Sequence, residues 1–282
     1  MTVASSIHAV RAQVKAWREQ SARIGFVATM GNLHAGHMDL FRTIAPHCDR
    51  VVCSIFANPL QFGPAEDYAA YPRTLDADID KLQSIGADLL FAPTVQEMYG
   101  SSGMSDTKVS VKRLNNLYCG KLREGHFIGV ATVVCKLFNI VSPHVAVFGE
   151  KDYQQLAVIR QMVSDLSIPV DILSSPTIRE KSGLASSSRN QYLTPAEKTT
   201  AALIYSVLCE MRKAIEAGDG NFNDLEARAT TRLVCAGFSP DYITVADAMT
   251  LLPAQPDTRN LVILVAARLG KARLIDNVTV TI

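Results

Sequence analysis

The sequence predicts an α/β chain: a doubly wound, Rossmann-like parallel sheet over residues 1–176, followed by a smaller α+β domain over residues 177–282. Three observations predict it. Up to Pro176, short runs that are apolar throughout alternate with helical patterns, as strands covered on both faces of a parallel sheet require. Polar clusters follow three of those runs directly, at the strand ends where α/β sheets bind ligands. Beyond Pro176 the pattern changes to a polar loop, two helices and then three strands, which suits an antiparallel sheet.

Each element has its own signal. Ile7, Val10, Val14 and Trp17 recur at helical spacing, with Ser5 or Ser6 as N-cap. Ile24–Ala28 reads as a buried strand, broken at Thr29-Met30-Gly31-Asn32. A helix resumes from about Ala35 to Pro46, with Met38, Leu40 and Phe41 on one apolar face. Val51–Ala57 is the next strand and Asn58–Pro64 the turn-rich loop after it. Thr74 caps a helix to about Ile85, Gly86 stops it, and Asp88–Phe91 is a short strand. Glu97–Leu117 reads as irregular, with a brief strand through Val109 and Val111. A helix over Ile128–Val141, a strand over Val145–Phe148, a helix over Tyr153–Leu166 and a strand over Pro169–Leu173 complete this half. In the second domain, Leu184–Asn190 is the polar loop. A helix started by Pro195 runs to Ala217, another spans Phe222–Ala236, and strands follow at Tyr242–Val245, Leu261–Ala267 and Ala272–Ile282.

Composition narrows the function. With 48% hydrophobic and 20% charged residues in 282, the chain can build a sizeable core. A formal net charge of +1 supplies no electrostatic footprint for nucleic acid, so small-molecule partners are expected. The longest apolar run, Leu261–Ala267, is too short to span a bilayer, and no membrane association is expected. The six cysteines show no paired or metal-binding spacing, and the N-terminus has no signal-peptide pattern; both suggest reduced thiols in the cytoplasm.

The chemistry concentrates in Ile24–Leu40. A strand that turns through glycine into a helix N-terminus aims backbone N–H groups and a positive dipole end at one point, which suits an anion. His34 and His37, three positions apart in the first turn, share a face and can reach the same anion. Zinc-binding pairs on helices are usually spaced i, i+4 with an intervening carboxylate, which is absent here; a structural role for either histidine alone stays open. Gly149-Glu150-Lys151-Asp152 sets a cation at a strand end, and Ser186-Ser187-Ser188-Arg189 sets hydroxyls beside a guanidinium; both suit phosphate oxygens. A solvated turn and a flexible connector are their ordinary alternatives. Asn58, Gln61, Gln154 and Gln155 offer amide donors, and Arg123 and His126 flank Gly125, where they could equally be surface basic groups. Together the clusters describe a nucleotide-phosphate site beside a small polar pocket.

Longer motifs run nearly end to end. They are T-M-G-x-L-H-x-G-H at Thr29–His37, N-P-x-Q-F-G at Asn58–Gly63, Y-P-R-T at Tyr71–Thr74 and G-H-F-x-G-V-A-T-V-V at Gly125–Val134. F-G-E-K-D-Y-Q-Q-L at Phe148–Leu156, S-S-R-N at Ser187–Asn190 and R-L-I-D-N at Arg273–Asn277 follow. With these the chain resembles the pantoate–β-alanine ligases, or pantothenate synthetases. These are adenylate-forming enzymes of the nucleotidyl-transferase superfamily related to class I aminoacyl-tRNA synthetases.

The resemblance implies ATP-dependent ligation of (R)-pantoate and β-alanine to pantothenate, through a pantoyl adenylate, by a cytoplasmic homodimer using Mg2+. It implies ATP binding by Met30, Gly31, Asn32, Leu33, His34, Ala35, Gly36 and His37, and by Gly149, Glu150, Lys151 and Asp152. Ile178, Ser186, Ser187, Ser188 and Arg189 complete that set. Gln61 and Gln155 would hold pantoate, with Asn58 and Met30 near it, and His37, His34, Lys151 and Arg189 would be catalytic. Metal ligands stay unassigned. Asp78 matches an acidic position sometimes linked to the metal, but Ala77 and Lys81 replace its usual companions. Ala28, Ala35 and Ser186 stand where proline, glutamate and methionine are usual, and ATP affinity is expected to feel the difference. Two alternatives are separable. A nucleotidylyltransferase leaving AMP on its product would have no use for the amide cluster, and a nucleotide sensor none for Lys151 and Arg189.

Overall fold

A computed structural model describes residues 1–64, 66 and 68–282 of the chain. Up to Ser175 the strands are β1 (Thr2–Ala4), β2 (Ile24–Thr29), β3 (Arg50–Ile55), β4 (Leu89–Phe91), β5 (Val145–Gly149) and β6 (Asp171–Ser175), the last five grown from the predicted apolar runs. All neighbours pair in parallel, in the order β1-β4-β3-β2-β5-β6. The winding therefore reverses at β2, which has β3 on one side and β5 on the other. That switch point brings the ends of β2 and β5, Thr29 and Gly149, to one edge of the sheet.

The covering helices are α1 (Ile7–Glu19), α2 (Ala35–Ile44), α3 (Leu75–Ser84), α4 (Val95–Tyr99), α5 (Lys112–Asn115), α6 (Tyr118–Leu122), α7 (His126–Val141) and α8 (Tyr153–Asp165). Ser6 caps α1 by accepting a hydrogen bond from the Ala9 N–H at 3.2 Å. On α2, Leu40, Phe41 and Ile44 face a core shared with Val27, Cys53 and Val147 of the sheet. α7 is buried over most of its length, which explains why its sequence is apolar on every side.

Beyond Pro176, α9 (Pro195–Ala201), α10 (Leu203–Glu216) and α11 (Phe222–Cys235) precede β7 (Ser239–Asp247), β8 (Asn260–Leu269) and β9 (Ala272–Thr281). These strands form an antiparallel sheet in the order β7-β8-β9. Ile204, Leu208 and Met211 of α10 share its core with Ile263 and Val265 of β8. A reciprocal Thr194–Glu197 capping box and Pro195 start α9.

The chain divides into two compact units, Met1–Glu150 with Gln155–Pro176, and Thr177–Ile282 with Lys151–Gln154. The second unit begins at Thr177 and also takes in the segment Lys151–Gln154. Hydrogen bonds explain it, because Asn277 Nδ2 donates to the Lys151 carbonyl at 3.0 Å and the Tyr153 hydroxyl to the Ala248 carbonyl at 3.1 Å.

Local expectations also shift. β1 escapes the sequence pattern because three residues are too few to show a period; it forms by docking on β4. The strand expected through Val109 and Val111 does not form. The Val109 N–H bonds the Thr132 hydroxyl at 2.9 Å instead of a strand neighbour, and α5 begins at Lys112. The long helix expected from Pro195 to Ala217 divides at Ala202 into α9 and α10.

Candidate active site

The turn after β2 is set by two successive left-handed residues, Gly31 with φ 84° and Asn32 with φ 51°. A Cβ at Gly31 would press on Ile55 at 3.1 Å and on the Asp78 carboxylate at 3.3 Å, so only glycine fits. Asp78, on α3, is wholly buried. Its two oxygens accept the backbone N–H groups of Asn32 and Leu33, each at 2.8 Å, and one also takes the Thr74 hydroxyl at 3.0 Å. Lys81 donates to the Leu33 carbonyl at 2.8 Å, pinning the same turn from its other side.

This corrects the expected cradle of unpaired N–H groups. Gly31 N–H bonds the Thr29 hydroxyl at 3.2 Å, and His34 N–H bonds His37 Nδ1 at 3.2 Å. The backbone donors from Gly31 to His34 are therefore engaged within the protein. What the turn presents is imidazole. His34 is the N-cap of α2, its Nδ1 accepting from Gly36 N–H at 3.2 Å, and His37 closes a reciprocal capping box. A ring nitrogen that accepts an N–H cannot carry a proton. Both neutral rings are thus held as the Nε2–H tautomer, with centroids 4.1 Å apart.

The second cluster grows from the turn after β3. Asn58 is 1% exposed, and its amide is fully subscribed. Its Nδ2 donates to Gln61 Oε1 and to the Gly129 carbonyl, both at 3.1 Å. Its Oδ1 accepts from the Tyr99 hydroxyl at 2.8 Å and the Leu60 N–H at 3.3 Å. Burial pushes the Tyr99 hydroxyl above its ordinary range, so it stays a donor. The pattern makes Asn58 the strut behind Gln61 rather than a ligand-facing group, because it has no capacity left. Gln61, with Oε1 held by Asn58, turns Nε2 toward Met30 Sδ at 3.2 Å. That contact joins the amide cluster to the β2 turn.

Gly129 on α7 permits this closeness, since a Cβ there would collide with the Leu60 carbonyl. Arg123 and His126 are not loose surface groups. His126 Nδ1 lies 2.7 Å from the Gln61 carbonyl, which can only accept, and Nε2 lies 2.9 Å from Arg123 Nη1, which can only donate. Arg123 also grips Glu66 with two bonds at 2.7 and 2.5 Å. Burial would raise the Glu66 carboxyl, but the hydrogen bond and charge of Arg123 prevail and hold it below the usual range.

The other expected residues lie at the β5 end and in the second unit. Gly149 ends β5, and Glu150 accepts from the Ser174 hydroxyl at 2.8 Å. Glu150–Asp152 form a single 3-10 turn leading into α8, where Gln154 is buried and Gln155 half-buried. Ser186 N–H bonds the Ile178 carbonyl at 2.8 Å. Ser187 caps the 3-10 helix Ser188–Tyr192, its hydroxyl accepting from Arg189 N–H at 3.2 Å. Sequence reading passed over Tyr99 and Glu66, and it offered Asp78 only as a metal-linked position. Their partners lie 41, 57 and 46 residues away along the chain, so no local pattern reveals them.

Fold and geometry define the class first: a Rossmann-like α/β protein with imidazole and amide groups fixed in the turns that follow β2 and β3. Comparison with known proteins then narrows it. The family described as Pantoate-beta-alanine ligase matches residues 2–279, and the chain belongs to that family. A pantothenate synthetase of Alkalilimnicola ehrlichii is 55% identical over 269 residues, 95% of this chain and 94% of the relative. One of Alcanivorax borkumensis is 51% identical over 282 residues, covering 100% and 99%. Among solved structures, pantothenate synthetase from Thermus thermophilus aligns with a TM-score of 0.91 at 44% identity, covering 99% of each chain. The pantoate-β-alanine ligase of Francisella tularensis, described as complexed with beta-gamma ATP and beta-alanine, aligns with a TM-score of 0.81 at 35% identity, covering 99% of this chain and 97% of that one.

Proposed function

We propose that the chain joins (R)-pantoate to β-alanine at the expense of ATP, through a pantoyl adenylate. Family membership supports the overall reaction. The observation that carries the site assignment is the Gln61–Met30 contact, which sets an amide pocket against the turn capped by His34 and His37. An acid held by Gln61, with Gln155 as its second amide, then lies beside an anion held by the imidazoles.

In the first step a pantoate carboxylate oxygen attacks the α-phosphorus of ATP. The bond from that phosphorus to the bridging oxygen breaks, and pyrophosphate leaves. Negative charge grows on the phosphoryl and leaving oxygens, where the Nε2–H groups of His37 and His34 donate. In the second unit, Lys151 and Arg189, with the hydroxyls of Ser187 and Ser188, are the groups suited to ATP phosphate. Donors held rigid before the reaction need no reorganisation during it, which is the main source of rate in such steps. In the second step the neutral amine of β-alanine attacks the acyl carbon, the C–O bond to AMP breaks, and the amine gives up a proton. The two steps need no covalent enzyme intermediate, and burial first, then the carboxylates of Asp49 and Asp88, push the Cys48 thiol up to about 11.

Mg2+ is implied as the companion of ATP, whose phosphates, with water, supply most of such an ion's ligands. Both Asp78 oxygens are taken by backbone N–H groups, and among the described residues no three His, Cys, Asp or Glu are grouped to hold a metal. Cytoplasmic residence and a homodimer complete the reading. Among the described residues no helix is long and apolar enough to cross a membrane. Pantoate-dependent exchange of labelled pyrophosphate into ATP tests the function, because only reversible adenylation of pantoate produces it. An absence of exchange with pantoate would reject the proposal.

A further inference from the structure

The R-L-I-D-N motif of β9 has no part in the chemistry above, yet its last residue, Asn277, bonds the segment that carries Lys151. We infer that Arg179, Asp276 and Asn277 form a positioning network that fixes Lys151 relative to the Ser186–Arg189 loop. The inference rests on the reading that Lys151 and that loop serve the same triphosphate.

The contacts form one unbroken chain within the second unit. At the loop end, Ser186 N–H bonds the Ile178 carbonyl at 2.8 Å, and the next residue, Arg179, bridges to Ala185 as antiparallel backbone. The Arg179 guanidinium donates to both oxygens of Asp276, at 2.6 and 2.9 Å, and to the Asn277 carbonyl at 3.3 Å. It also bonds the Gly183 carbonyl at 3.1 Å and stacks 3.7 Å from the Tyr205 ring centroid. Asp276 Oδ1 takes the Asn277 N–H at 2.8 Å, and Asn277 Nδ2 donates to the Lys151 carbonyl at 3.0 Å.

Each link is stiff for a stated reason. A planar guanidinium bound to a carboxylate at two points has one orientation, and the ring beneath it removes the remaining tilt. Asp276 and Asn277 are 5% and 6% exposed, so water does not compete well for their bonds. The Lys side chain, by contrast, is a long flexible stem with a point charge at its tip. Its position is only as definite as its backbone, and here that backbone is a single 3-10 turn at the mouth of α8. The Asn277 amide pins that turn to the sheet that also anchors the loop. Cation, hydroxyls and guanidinium thereby keep one mutual geometry.

The test is a double-substitution cycle on the full-length chain, reading single-turnover formation of pantoyl adenylate with saturating ATP. A misplacement of about 1 Å in a reacting arrangement costs up to about a hundredfold. Asn277→Ala is therefore expected to lower the rate at least about tenfold, with the pantoate concentration dependence within about twofold of the parent. In a Lys151→Ala background the same substitution should change the rate less than about threefold, because it acts through Lys151. Melting curves identify folded variants. Should Asn277→Ala not fold, Asn277→Asp, which keeps the shape but loses the donor, carries the same expectation. A parent-like rate in the folded Asn277 variant, or an undiminished effect without Lys151, would overturn the network alone. A parent-like Lys151→Ala would sink the underlying reading and the network with it.

Discussion

Asp78→Asn should loosen the turn that leads into the His34–His37 cap, and the size of the effect follows from the bonds it breaks. The buried carboxylate accepts two backbone N–H groups at 2.8 Å and a hydroxyl at 3.0 Å. Asparagine offers one oxygen in place of two, so one backbone N–H then faces an NH2 group. Losing a hydrogen bond to a charged acceptor costs about 1.5–3 kcal/mol, and stranding a buried donor costs about 1–3 kcal/mol. The two figures overlap, which leaves about 2–4 kcal/mol for the first unit. Lys81 adds little, being 3.8 Å from Asp78 with a side chain 44% exposed. Trp17, the single tryptophan, lies on α1 in this unit and reports its unfolding by fluorescence. With a urea slope of about 2 kcal/mol per molar, the midpoint should fall by about 1–2 M at unchanged slope. The Michaelis constant for ATP should rise, while the Mg2+ concentration dependence stays as in the parent. A midpoint within about 0.3 M of the parent would refute the clamp, as would a changed Mg2+ requirement at full stability.

Other outcomes follow from the same geometry. His37→Ala and Lys151→Ala should each slow adenylation by about 10²–10³, the usual loss for one fixed donor to a developing charge; a rate within threefold of the parent would reject that residue's role. Ser186→Met, which restores the residue usual in the family's loop, should lower the Michaelis constant for ATP, and an unchanged constant would show that the departure is neutral. His144 Nδ1 accepts the Ile24 N–H at 2.8 Å, and burial, with Arg18 and Arg23 nearby, holds its pKa below the ordinary 6.5. The unfolded chain therefore binds a proton that the native one refuses, so stability should fall as pH drops below about 6.5. Unfolding followed at Trp17 from pH 7 down to about pH 5 should show a smaller decline in His144→Asn, and an equal decline would remove His144 from the explanation.

The legible part of this chain was whatever repeats locally. The apolar runs of β2, β3 and β5 and the apolar face of α2 are written in consecutive residues, so the parallel sheet could be read directly. The pairing of His34 with His37 was equally open, because three positions on a helix are always neighbours. Asn58 shows the limit of such reading. Its amide looked like a donor for substrate, and only the folded chain shows Tyr99, Leu60, Gly129 and Gln61 already using all of it. The same holds for the turn at Gly31–Leu33, whose N–H groups looked open until Thr29 took the first and Asp78 the other two.

By itself, then, the sequence determined the class of fold, the family and the identity of the chemical groups, since each rests on residue type and short-range spacing. Tertiary structure alone decided which of those groups have their hydrogen bonds used within the protein, as Asn58 and Asp78 do. It also decided the protonated nitrogen on each imidazole and the assignment of Lys151 to the second unit. The physical reason is that a polar group's role depends on whether its hydrogen-bonding capacity is already spent, and the partners that spend it lie far away along the chain.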